Sequence, residues 1–88
     1  MDIFDETYRN FMKTRPVHRC LELFQRFGDR RRAGMYLAAV AAARHLWSER
    51  VDPARILDRV AQELPTVPID VIQAAVEDTV GHIEKGAE

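Results

Sequence analysis

Three histidines and one cysteine are the side chains in this sequence that are best suited to catalysis or metal binding near neutral pH. His18, His45 and His82 are far apart in the chain, and no Ser-His-Asp or Cys-His grouping occurs at a recognisable spacing. His18 and Cys20 are two positions apart, which places their side chains on different faces of a helix. The sequence therefore predicts no catalytic site, no metal site and no cofactor, and we expect a protein that is not an enzyme.

Cys20 is the single cysteine, so no disulfide can form within this chain, and a reducing compartment is favoured. The first ten residues carry acids where a secretory signal is basic, and no apolar region follows them. The longest apolar stretch, residues 33–43, is shorter than the roughly 20 residues that a membrane-spanning helix needs. We expect a cytoplasmic protein that does not associate with membranes.

Charge is distributed unevenly along the chain, although the net charge is only −1. Residues 9–32 hold eight cations and two acids, whereas residues 51–88 hold three cations and eight acids. Arg30, Arg31 and Arg32 fall in the first turn of a predicted helix, where the helix dipole disfavours cations. This arginine cluster predicts an anionic partner, and a merely solvated charged face is the alternative.

Apolar residues recur at three- and four-residue spacing along the chain, and prolines and glycines interrupt the pattern. The alternation that is typical of strands does not persist, so the pattern predicts five helices, the first of them short. The first helix is predicted to stop before Pro16, and the second to run from near Pro16 to a stop at Gly28. Asp29 is the predicted N-cap of the third helix, which ends near Ser48. Asp52, followed by Pro53, is the predicted N-cap of the fourth helix, which stops at Pro65, and the fifth helix starts at Pro68.

The third predicted helix, over about residues 30–48, is apolar around most of its circumference and rich in alanine. Such a helix must be covered on several sides, and its small side chains let neighbours approach closely. We therefore expect an all-α fold: a compact bundle of four to five short helices around this helix, with residues 1–88 as a single domain. A homodimer through the alanine-rich helix is an open alternative.

The aromatic residues are confined to the first 47 positions. Phe4, Tyr8 and Phe11 are candidate anchors for a partner, and the alternative is that they pack within the bundle. The second helix carries an apolar face on which Cys20 is expected to be a core residue. This face comprises Val17, Cys20, Leu21, Phe24 and Phe27.

In residues 63–84, Leu64 and Pro65 precede a predicted helix that carries Ile72 and Val76. This arrangement resembles the first two helices of ubiquitin-binding CUE domains. The Met-Phe-Pro signature of that family is Glu-Leu-Pro in this chain, and the family's terminal dileucine is missing. The resemblance therefore transfers no function.

The sequence predicts a small protein-interaction module, such as a regulatory adaptor, an accessory subunit or an inhibitor. The alternative is a nucleic-acid-binding regulator that uses the basic segment 9–32, since arginines begin the second helix of a possible helix-turn-helix. The rest of that helix is apolar, which does not suit a DNA groove. The candidate partner-binding residues are Arg26, Arg30, Arg31, Arg32, Phe4, Tyr8 and Phe11.

Overall fold

The computed structural model describes residues 3–87, and side chains are described as far as residue 81. Five helices and no strand occur in this part of the chain, which confirms the all-α prediction. The helices are α1 (Ile3–Thr14), α2 (Val17–Phe27), α3 (Arg30–Ser48), α4 (Pro53–Glu63) and α5 (Ile69–Ala87). None of the described helices is long and apolar enough to cross a bilayer.

Three helix ends lie at the positions that the sequence predicts, and each is formed by a cap or turn residue next to the helix. The carboxylate of Asp29 accepts a hydrogen bond from the Arg32 amide at 2.7 Å, which caps the N-terminus of α3. Asp52 caps α4 in the same way, through the Ala54 amide at 3.0 Å. Gly28 adopts a φ of 83°, the left-handed conformation that ends α2. These three predictions are therefore confirmed.

Pro16 and Pro68 were predicted to begin α2 and α5, but each proline lies one residue before the first residue of its helix. Pro16 is the N-cap of α2, and its carbonyl accepts from the amides of Arg19 and Cys20. The Pro68 carbonyl accepts from two amides in the first turn of α5 in the same manner. In both cases the proline carbonyl begins the helical hydrogen-bond pattern while the proline itself lies outside the helix.

Contacts divide the chain into two units, the first ending at Ala38 and the second beginning at Ala39, so α3 contributes to both. The single domain over residues 1–88 stays a prediction. The buried apolar residues of the first unit are Phe4, Tyr8, Cys20, Ala33 and Met35. Those of the second are Ala39, Ala43, Leu46, Ile56, Val60, Val67, Val71, Ile72, Ala75 and Val76.

In the first unit, the backbones of α1 and α3 approach each other closely at Gly34. A Cβ atom at this position would overlap the carbonyl group of Phe4, and its distance to the Phe4 Cα would be only 3.0 Å. Only glycine fits at this contact, because every other residue would push the two helices apart. The approach holds α1 against the first turns of α3.

In the second unit, the last turns of α3 are covered on one side only. Ala43 and Leu46 are buried, whereas Ala41, Arg44 and His45 are exposed. The expectation that the helix is covered on several sides therefore holds for residues 33–38, all of which are buried or half-buried, but not for these last turns. Alanine is small enough to face solvent at little cost, so its abundance does not report burial.

Candidate functional site

Three large apolar side chains of α2 face solvent together. Val17 is 74% exposed, Leu21 is 54% exposed and Phe24 is 42% exposed. Their spacing of four and three residues places them on one face of the helix, along about two turns. We call Val17, Leu21 and Phe24 the α2 stripe.

The α2 stripe lies beside the part of the helix that packs into the first unit. Cys20 is buried, Leu23 and Phe27 are half-buried, and the Tyr8 hydroxyl donates to the Cys20 carbonyl oxygen at 3.0 Å. The apolar residues of α2 therefore cover a wider arc than the first unit buries. Cys20 is a core residue as predicted, but most of the predicted apolar face is open because the intramolecular contact reaches only its edge.

Exposed apolar side chains are concentrated in α1 and α2. Met12, in the last turn of α1, is 39% exposed, and Ile3 is exposed at its start. Among the described residues, the one large apolar side chain that is comparably exposed elsewhere is Ile69, at the first position of α5. Five of the six large apolar side chains that are exposed among the described residues therefore belong to the first unit.

Two cations, Lys13 and Arg15, immediately precede the N-terminal end of the α2 stripe in the chain. Both are exposed, and within residues 3–81 no acid lies within ion-pair distance of them, whereas Arg19 lies on the face of α2 opposite the stripe. The first turn of α2 contains no acid, and Pro16 provides no side-chain cap for its amides. This end of the helix therefore combines free cations with the positive end of the helix dipole.

The other end of the α2 stripe is less positive. Glu22 is exposed on α2, and Gln25 is the exposed polar residue of the next turn. Arg26 is held over aromatic rings, because its guanidinium carbon lies 5.2 Å from the ring centroids of both Phe27 and Tyr36. The centroids of these two rings lie 4.9 Å apart, so the side chains of Arg26, Phe27 and Tyr36 form one packed group.

The structure leaves the arginine cluster at the surface. Arg30, Arg31 and Arg32 are exposed in the first turn of α3, beside the Asp29 carboxylate that caps the helix. The acid at the N-cap offsets part of the unfavourable interaction between these cations and the helix dipole. Binding of a partner by this cluster stays a prediction.

The three candidate aromatic anchors belong mainly to the core of the first unit. Phe4 and Tyr8 are buried and Phe11 is half-buried, which is the alternative that the sequence left open. Burial raises the pKa of the Tyr8 hydroxyl, and Cys20 raises it further, while Arg30 lowers it. The α2 stripe lies instead on the neighbouring helix.

The residues with catalytic or ligand chemistry do not converge in the part of the chain that the structure describes. His18 is exposed while Cys20 is buried, and no group of three or more His, Cys, Asp or Glu side chains is placed to hold a metal ion. The His45 Nε2 atom lies 3.8 Å from a carboxylate oxygen of Glu49, both on the surface of α3. The side chain of His82 lies outside the described residues.

An open hollow of about 530 Å³ lies where α3 turns into α4. No motif in the sequence predicts this hollow, and one of its lining residues, Arg50, adopts a φ of 62°. The Asp52 carboxylate at its rim is already used as the cap of α4. Its lining residues are Trp47, Ser48, Arg50, Val51, Asp52 and Pro53.

Comparison of the chain with family models, curated proteins and solved structures found no match.

Proposed function

We propose that this chain is a protein-interaction module that binds a protein partner through the α2 stripe. The observation that carries this proposal is the exposure of Val17, Leu21 and Phe24 on one helix face. Single exposed apolar residues are ordinary on protein surfaces, but several on one face form a patch of the kind that partners cover. The function is one of binding, without catalysis, in the role of an adaptor, an accessory subunit or an inhibitor.

The energetic basis is the removal of apolar surface from water. Covering such a surface stabilises a complex by roughly 25 cal/mol per Å² before the costs of association. The apolar residues at positions 17, 21 and 24 have the spacing with which amphipathic helices are recognised. Exposed cations of the first unit, among them the arginine cluster and Arg26, would increase the association rate with an acidic partner.

A nucleic-acid-binding regulator is the second candidate, and the exposure of the cations in segment 9–32 favours it. Phosphate binding predicts a steep loss of affinity as salt rises, because counterions are released when cations contact the backbone. It gives no role to the α2 stripe, since apolar side chains gain little from a phosphate surface. The protein-interaction proposal accounts for both features. We place this binding in the cytoplasm, where the free thiol of Cys20 stays reduced.

The test is affinity capture of the tagged chain from its native lysate after nuclease treatment, with the wild type beside the double variant Val17→Gln, Leu21→Gln. Both positions are exposed, so we expect an unchanged circular dichroism spectrum and loss of the partner. Ile69→Gln is the matched control, because it removes an equally exposed apolar side chain from the second unit. Equal capture by the wild type and the double variant would contradict the proposal, and so would recovery that depends on nucleic acid.

A further inference from the structure

We infer that the segment that occupies the α2 stripe is an acidic amphipathic helix of a partner protein, with its acidic side chains at the Val17 end. This inference rests on the proposed function and adds the chemistry of the partner. It is carried by the juxtaposition of the exposed α2 stripe with Lys13 and Arg15, which form no ion pair with the described residues.

Charge complementarity points to an acidic occupant. Residues 13–26 contain four cations and one acid, Glu22. Lys13 and Arg15, next to Val17 in the chain, are exposed and make no ion pair among residues 3–81, so they are available to carboxylates of another chain. An apolar surface with this border attracts a helix that is apolar on one face and acidic beside it.

The charges also set the orientation of the partner helix along the α2 stripe. Lys13, Arg15, a first turn without a side-chain cap and the positive dipole end all lie at the Val17 end of the stripe. At the Phe24 end, Glu22 and Gln25 are exposed, and Arg26 is engaged with two aromatic rings. Acidic residues of the partner are therefore expected near Val17, and neutral or basic residues near Phe24.

The length of the stripe sets the size of the partner segment. From position 17 to position 24 the helix rises by about 10 Å, since each residue adds about 1.5 Å. A partner helix would cover this distance with apolar residues at i, i+3 or i+4, and i+7. So short a contact is typical of a reversible complex.

Two other occupants fit the observations less well. A second copy of the chain on the same face would bring two net-positive surfaces together, which disfavours pairing of α2 with itself. Nucleic acid would satisfy the cations but leave Val17, Leu21 and Phe24 against phosphate or water. Both occupants are outcomes of the experiment that follows.

The experiment replaces Leu21 by the photo-crosslinking residue benzoylphenylalanine in the full-length chain, expressed in its native cells. The same residue at Asp58, which is exposed on α4, is the matched control. Irradiation, capture and mass spectrometry then identify the peptide that is covalently joined at each position. We expect position 21 to yield a net-acidic peptide with apolar residues at helical spacing, and position 58 not to yield it.

A synthetic copy of the recovered peptide then serves as the probe in fluorescence anisotropy. We expect Lys13→Glu with Arg15→Glu to weaken binding at least about tenfold at low salt and much less at high salt. Leu21→Gln should weaken binding by a similar factor at both salt concentrations, because it removes apolar contact. A peptide whose affinity does not change with the charge reversal would overturn the inference.

The remaining outcomes separate the inference from the proposed function. A neutral or basic partner peptide at position 21 overturns the acidic helix and keeps a protein-interaction module. A second copy of the chain at position 21 also overturns it and leaves a homodimer as the function. Nucleic acid at position 21, or no more cross-linking there than at position 58, overturns both.

Discussion

The helices α2 and α4 have the same length of 11 residues, and both are amphipathic, yet they use their apolar faces differently. In α4, Ile56 and Val60 are completely buried, and the helix packs against α5. In α2, which packs against α1, Cys20 is the one buried side chain, and Val17 and Leu21 are exposed. An apolar face thus shows where a helix can be covered but not whether its own chain covers it.

The two helices also begin differently. Asp52 and Pro53 give α4 a side-chain cap and a favourable first residue. Pro16 gives α2 no side-chain cap, and no acid offsets the dipole in its first turn. The helix whose apolar face is open is therefore also the helix whose N-terminus is open, which is consistent with a surface completed by another chain.

The largest expected effect on stability comes from the close approach of α1 and α3 at Gly34, in the first unit. Gly34→Ala would place a methyl group on the Phe4 carbonyl, and we expect a loss of at least about 3 kcal/mol in the free energy of unfolding. Urea denaturation followed by circular dichroism measures it. The control is Gly81→Ala in α5, where no neighbouring atom lies within 4 Å and alanine should stabilise by up to about 1 kcal/mol. Equal stability of the two variants would show that α1 and α3 do not approach closely.

The second prediction compares the buried face of α4 with the exposed face of α2, through two side chains of equal size. Ile56→Ala should lower the free energy of unfolding by about 2 to 4 kcal/mol, because Ile56 is fully buried. Leu21→Ala should change it by less than about 0.5 kcal/mol, because that side chain is largely in solvent. Thermal and urea unfolding of both variants measure the difference. A large loss for Leu21→Ala would mean that the stripe is part of the core.

The third prediction concerns the bond that joins α1 to the buried edge of α2. Tyr8→Phe removes the hydrogen bond to the Cys20 carbonyl and should destabilise the chain by about 1 kcal/mol at neutral pH. Because burial raises the pKa of Tyr8, the folded chain holds this proton more tightly than the unfolded chain. The contribution is therefore complete below about pH 10 and is lost as the pH rises above it.

Urea titrations between neutral pH and about pH 11 test this dependence. The wild type should lose stability above pH 10 more steeply than Tyr8→Phe. Tyr36→Phe serves as the control, since it keeps Tyr8 and should keep the steeper decline. Identical pH profiles for the wild type and Tyr8→Phe would show that the hydroxyl is not buried in the folded chain.

The smallest expected effect is that of the arginine cluster on the fold. Replacing Arg30, Arg31 and Arg32 together by alanine should change the free energy of unfolding by no more than about 0.5 kcal/mol, since all three are exposed at a helix end where cations are disfavoured. Urea denaturation measures this, and a variant that unfolds would assign the arginines to the structure. If the cluster instead steers a partner, the association rate should fall and its salt dependence should weaken.

Features that depend on a few neighbouring residues could be predicted from the sequence. The caps at Asp29 and Asp52 and the left-handed stop at Gly28 were predictable, because each acts through atoms within about one turn. The one-residue error at Pro16 arose because a proline suits both the first helical position and the cap before it. The five helices follow from the spacing of apolar residues.

The candidate site was predictable only in its ingredients. The apolar face of α2 and the cations around it are visible in the sequence, but the exposure of Leu21 and the burial of Phe4 are not. The stacking of Arg26 on Phe27 and Tyr36 joins residues that are separated by up to ten positions. Sequence patterns indicate which faces are apolar, whereas the choice among apolar faces depends on which ones meet.

For this protein the sequence alone determined an all-α chain, most of its helix ends and the separation of its positive and negative segments, since all of these depend on local spacing and composition. Tertiary structure decided that α1 packs closely at Gly34 and that α2 contributes only its Cys20 edge to the first unit. The physical reason is that the hydrophobic effect is not directional. It favours covering any apolar face, and only the geometry of packing decides which face is left for a partner.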